Sequence, residues 1–137
     1  MIDCALKEYF MRHGIFSWNE LMASDPEKAK KFYGELFGWT FEEMPIAEGP
    51  MAGKIYVVAK SGDAMAAGIL PKPDGCEAPD YWGPYVTVDN IEEALEKVKE
   101  LGGEVTVPAT MIPGVGSFSV IQDNAGAYLM LMEYSFK

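Results

Sequence analysis

This sequence predicts an α+β fold made of two βαβββ modules, and two observations carry the prediction. A helical apolar pattern occurs twice at a fixed offset, and each copy follows one strand-like run and precedes three more. In the first copy, Asp25 to Gly38 places Ala29, Phe32, Tyr33 and Leu36 on one helical face. In the second, Asn90 to Gly103 places Ile91, Ala94, Leu95, Val98 and Leu101 likewise. Ala29 matches Ala94, Leu36 matches Leu101 and Gly38 matches Gly103, a constant offset of 65 residues.

Each element has its own signal. The first strand is expected over Gly14 to Leu21, with Phe16, Trp18 and Glu20 alternating onto one face. Asp25 caps the first helix, Pro26 takes its first position and Gly38 suits its left-handed end. Strand-like runs follow at Trp39 to Met44, Lys54 to Lys60 and Ala64 to Leu70. Three prolines and a glycine between Pro71 and Asp80 read as a linking loop. The second copy opens with a strand at Trp82 to Val88, where Gly83, Tyr85 and Thr87 share a face. Its helix carries Asn90 with Glu93 three residues on, a capping-box spacing, and ends at Gly103. The last strands are expected at Glu104 to Val107, Ser117 to Gln122 and Ala127 to Tyr134. The expected organisation is one domain with modules at 13–70 and 81–135, a terminal arm at 1–12 and a linker at 71–80. The arm reads either as a docked or frayed terminus or as a cover or dimer contact.

Composition bounds the function. At 137 residues with 49% hydrophobic residues the chain can bury a core, and no apolar run approaches the roughly 20 residues of a membrane span. The start lacks a basic region followed by an apolar stretch, so a cytoplasmic location is the default expectation. A net charge of −10 opposes nucleic acid and anionic membranes as partners. Cys4 and Cys76 are isolated and read as inert free thiols. Serines 17, 24, 117 and 119 have only His13 as a base, with no evident orienting acid, which gives a hydrolase triad little support. Pro113 to Ser117 lacks the lysine of a phosphate-binding loop and reads as a hairpin turn.

Three segments carry a family resemblance: Ala23 to Trp39, Val86 to Ala94 with Leu101-Gly102-Gly103, and Asp123 to Glu133. On these the chain resembles the vicinal oxygen chelate superfamily, which includes glyoxalase I, bleomycin-resistance proteins and extradiol dioxygenases. The resemblance implies that the paired modules curl into a cup-like open barrel with a concave cavity. It also implies that homodimerisation is common. Metal-dependent members place His, Gln or Glu on the first and last strand of each module, and here those positions fall on Trp18, Ala67, Gly83 and Met130. None supplies a donor suited to a hard or borderline divalent ion, so neither metal nor other cofactor is expected.

With the ligand positions marking the cavity face, its expected lining is Phe16, Trp18, Glu20, Gly83, Tyr85, Thr87, Tyr128, Met130 and Met132. Tyr56 or Val57, and Phe118 or Ser119, complete it according to strand register. Aromatic and methionine side chains suit a flat or apolar small molecule, although the same side chains also build packed cores. Glu20 is the acidic residue on that face, and burial there would raise its pKa and suit it to proton transfer or to anchoring an amine. Three functions follow. The first is a metal-independent protein binding a small apolar or aromatic molecule in the cavity between modules. The second is a metal-free isomerase or lyase using Glu20 with Tyr85 or Tyr128. The third is a metal-dependent glyoxalase-like lyase with ligands displaced to His13, Glu20 and Glu133, which needs a register shift in the last strand.

Overall fold

The computed structural model describes residues 8–47, 51–73 and 75–135, so Cys4 and most of the terminal arm lie outside the described residues. The first module runs β1 (Phe16–Ala23), α1 (Pro26–Phe37), β2 (Thr40–Pro45), β3 (Ile55–Ser61) and β4 (Ala64–Pro71). The second runs β5 (Tyr81–Thr87), α2 (Ile91–Glu100), β6 (Glu104–Ile112), β7 (Gly116–Gln122) and β8 (Tyr128–Tyr134). This is the expected α+β order of strand, helix and three strands, twice over.

The described residues divide into two compact units, one within 18–83 and one that joins 8–17 to 84–135. In the first unit the strands lie in the order β2-β3-β4-β1. β1 runs parallel to β4 with Glu20 opposite Gly68, and β2, β3 and β4 pair antiparallel. Leu21, Ala23, Val57 and Ile69 form the core on the helix side, packed by Ala29, Tyr33 and Phe41. Asp25 caps α1 by accepting the Lys28 N–H, and Gly38 closes it at a φ of 74°. A left-handed closure of this kind favours a residue without a Cβ.

In the second unit the order is β5-β8-β7-β6. β5 runs parallel to β8, with Tyr85 opposite Met130 and Thr87 opposite Met132. The helix side is filled by Val88, Ile91, Leu95, Ile121 and Leu131. Asn90 accepts the Glu93 N–H, as the capping spacing predicts. The approach to β1 pairs here too: Gly14 N–H donates to Thr87 O at 2.8 Å, and Thr87 N–H to Ile15 O at 2.9 Å. Residues 8–10 form a helical turn, and the Phe10 carbonyl accepts the Thr87 hydroxyl at 2.6 Å.

Several boundaries differ from the sequence expectation. β6 continues past Val107 to Ile112, and register shifts between Val105 and Thr110 accommodate Pro108, which cannot donate to the ladder. The second helix reaches its left-handed position at Gly102, one residue before Gly103, with Leu101 as its cap. On α1 the shared apolar face is only partly covered: Phe32 and Leu36 are 61% and 59% exposed. The core contacts of α1 come from Ala29 and Tyr33.

Candidate ligand site on the sheet faces

Alternation along the strands gives each unit a second face, directed away from its helix. In the first unit this face holds Trp18 and Glu20 from β1, Tyr56 from β3 and Gly68 from β4. Trp18 Nε1 donates to the Tyr56 hydroxyl at 2.9 Å, and that hydroxyl donates to Glu20 Oε2, also at 2.9 Å. The phenol thus reaches across β4, the strand between its own and that of its partners. It can do so because Gly68 carries no side chain. A Cβ built there would collide with the Tyr56 hydroxyl and lie 3.1 Å from Trp18 Nε1. Glu20 is only 8% exposed, while Trp18 and Tyr56 are half-buried. Such donors offset part of the cost of burying a carboxyl group.

Tyr81, at the start of β5 in the same unit, was not singled out by the sequence. Burial pushes its phenol above the usual tyrosine range, with negative charge on Cys76 and on Glu20 adding to the effect. Gly83 is buried two residues further on.

The second unit's corresponding face collects the residues that strand register predicts. Tyr85, Met130 and Val120 align across three strands, as do Thr87, Met132 and Phe118. Tyr85, Thr87, Met130 and Met132 are buried and Phe118 is half-buried. At the end of this face Tyr128 is 67% exposed, and Phe16, the first residue of β1, is 60% exposed. The Thr87 hydroxyl is engaged by Phe10, and Ser17 and Tyr134 share a hydrogen bond of 2.9 Å. Burial raises the Tyr134 phenol pKa and the Ser17 contact partly offsets this.

The register settles the open alternatives. Tyr56, not Val57, and Phe118, not Ser119, lie on these faces. Val57 sits in the helix-side core, and the buried Ser119 donates to the Val107 carbonyl. The fourth ligand position also moves. Tyr85 pairs with Met130, whereas its counterpart Glu20 pairs with Gly68, so Gly68 and not Ala67 is the equivalent of Met130. The chain between α1 and β3 is longer than that between α2 and β7, which shortens the offset from 65 at the helices to 62 at Gly68 and Met130.

Comparison with known proteins follows this geometry. A sequence profile of the Glyoxalase/Bleomycin resistance protein/Dioxygenase superfamily matches residues 15–131. The chain belongs to this superfamily. Within it, the chain is 38% identical over 125 residues to protein CFP32 of Mycobacterium bovis, provisionally named a glyoxylase, covering 89% of this chain and 46% of that one. It is 28% identical over 126 residues to the anthracycline biosynthesis protein DnrV of Streptomyces peucetius, covering 83% and 45%. The chain thus spans about half the length of these curated relatives. Among solved structures, methylmalonyl-CoA epimerase from Mycobacterium tuberculosis superposes with a TM-score of 0.64 at 11% identity, covering 94% of this chain and 95% of that one, a likeness of fold.

Metal-dependent members of the superfamily raise the question of whether a divalent ion fits here. The four positions hold Trp18, Gly68, Gly83 and Met130, three of them without a donor atom and one offering a soft thioether, so the set does not fit. Among the described residues no three of His, Cys, Asp and Glu gather in one place. The displaced set is engaged in other work. His13 Nδ1 accepts the Asp89 N–H at 3.0 Å, Glu133 accepts the Ile91 N–H at 2.8 Å at the start of α2, and Glu20 accepts the Tyr56 hydroxyl.

Proposed function

We propose that this superfamily member binds a small, flat, largely apolar or aromatic molecule without a metal, anchored on the Trp18–Tyr56–Glu20 chain of the first unit. The observation that carries the reading is the hydrogen-bonded chain itself: a half-buried indole and phenol joined to a buried carboxylate on the sheet face directed away from the helix. The rings offer contact area at low entropy cost, and the hydrogen-bonded chain fixes their positions before a ligand arrives. The aromatic and methionine face around Tyr85, Phe118, Met130 and Met132 has the same chemical character. A relative named for anthracycline biosynthesis agrees with a small-molecule ligand.

The test is a thermal-shift screen of neutral mono- and bicyclic aromatic compounds against the wild type, Trp18→Phe and Tyr56→Phe. A ligand that binds the folded state raises the melting temperature with concentration. The reading expects such a shift in the wild type and its loss in both variants. A shift that survives in both, or a set of compounds that produces none, contradicts it.

A second reading, a metal-free isomerase or lyase step, draws on the Tyr56–Glu20 hydrogen bond, because a carboxylate with an adjacent phenol is a workable proton-transfer pair. In this form the phenol paired with Glu20 is Tyr56, not Tyr85 or Tyr128. Turnover of a bound compound that disappears in Glu20→Gln while binding persists would select this reading over simple binding.

A further inference from the structure

The direction of each hydrogen bond in the Trp18–Tyr56–Glu20 chain limits what the first unit's sheet face can offer a ligand. An indole has one N–H and no acceptor, and that N–H goes to the Tyr56 oxygen. A phenol has one hydrogen, and here it goes to Glu20 Oε2. As a carboxylate Glu20 has no hydrogen to give, only about four acceptor positions on its two oxygens. The donors of all three side chains are committed within the chain, so any bond they make to a ligand is one that they accept. Tyr56 is half-buried and Glu20 is 8% exposed, which makes the phenol oxygen the more accessible target. Its own donation to the carboxyl group strengthens it as an acceptor.

The surroundings point the same way. β4 is bare at Gly68, but it lies between β3 and β1, and its backbone groups serve the ladders on both sides. The basic residue among the described strands β1 to β4 is Lys60, whose ammonium is held by Glu42 of β2 at 3.1 Å. The chain carries −10 overall, which opposes an anionic ligand further. Resting on the ligand site proposed above, we infer that this site selects aromatic molecules that bring their own hydrogen-bond donor: phenols, anilines and N–H heteroaromatics. Aromatic carbonyl compounds and carboxylates bring only lone pairs. They are rejected, because they would set acceptor against acceptor beside a buried carboxyl group. The discrimination is between ligands of the same shape, and it comes from the direction of two hydrogen bonds.

Equilibrium dialysis of the full chain against 2-naphthol, 2-fluoronaphthalene and 2-acetylnaphthalene tests the inference on one ring system. The wild type should bind 2-naphthol at least roughly tenfold more tightly than either of the others, the factor expected for a hydrogen bond into a charge-assisted chain. Glu20→Gln, with its fold checked by far-UV circular dichroism, should raise the affinity of 2-acetylnaphthalene relative to 2-naphthol severalfold. Whichever way the amide turns, a donor is released: the amide N–H itself, or the Tyr56 hydrogen when the amide donates to the phenol. Equal binding of all three compounds, abolished by Trp18→Phe, overturns the donor requirement while leaving the ligand site in place. Binding of none overturns both. Tighter binding of 2-acetylnaphthalene by the wild type, or a selectivity that Glu20→Gln leaves unchanged, also overturns the inference.

Discussion

The Tyr56 hydroxyl meets Glu20 Oε2 at 2.9 Å from two strands away, passing over Gly68. This relationship ties three features of the first unit together: a buried acid, a phenol that satisfies it, and a glycine whose missing side chain makes room for the phenol.

Replacing Tyr56 by Phe removes one donor to Glu20 and the acceptor of the Trp18 indole N–H. The shape is kept, so the loss is electrostatic. Urea unfolding should show a destabilisation of about 1–3 kcal/mol with an unchanged slope.

Gly68→Ala should act through Tyr56. The backbone there is ordinary strand, so the cost comes from the new Cβ meeting the phenol. Displacing the ring breaks both hydrogen bonds. In a Tyr56→Val background the same alanine meets no phenol, and a double-mutant cycle should return a coupling of about 1 kcal/mol or more. Additive effects would show that Gly68 does not position the phenol.

Glu133 lies at the start of α2, where its carboxylate accepts the Ile91 N–H. That N–H is one of the donors a helix leaves without an internal partner, and negative charge at this end is favoured. Glu133→Ala should lower stability by about 1 kcal/mol, read as a shift in thermal or denaturant midpoint.

Asp123 accepts the Ala125 and Ala127 N–H groups at 2.8 and 3.0 Å, and these hold its carboxyl below the usual aspartate range. A folded-state pKa below the unfolded value means that the stabilisation is present above the unfolded aspartate's range and is lost as pH falls through the depressed one. Carboxyl-carbon NMR should show Asp123 titrating below the usual aspartate range, and Asp123→Asn should flatten this part of the acid unfolding profile.

Much of the fold was legible because its signals are local. The Asp25 and Asn90 caps, the glycine after α1 and the period-two strands each announce an element, and the internal repeat orders them. The candidate site was legible by face but not by contact. Alternation put Trp18 with Glu20, and Tyr85 with Thr87, yet it could not show that Tyr56 would cross a strand to reach Glu20. Gly68 is a usable signal in hindsight, since a glycine inside a strand often marks a close approach. The exposure of Phe32 and Leu36 was hidden because periodicity reports an apolar face and not what covers it.

The most direct test of the ligand site uses the three tryptophan indole N–H signals in a proton–nitrogen NMR spectrum, with Trp18 assigned through Trp18→Phe. On titration with a neutral bicyclic aromatic, 2-naphthol, the Trp18 signal should move saturably while those of Trp39 and Trp82 stay in place, and Tyr56→Phe should abolish the movement. A Trp18 signal that never moves, or movement confined to Trp39 and Trp82, would contradict a ligand site on the Trp18–Tyr56–Glu20 face.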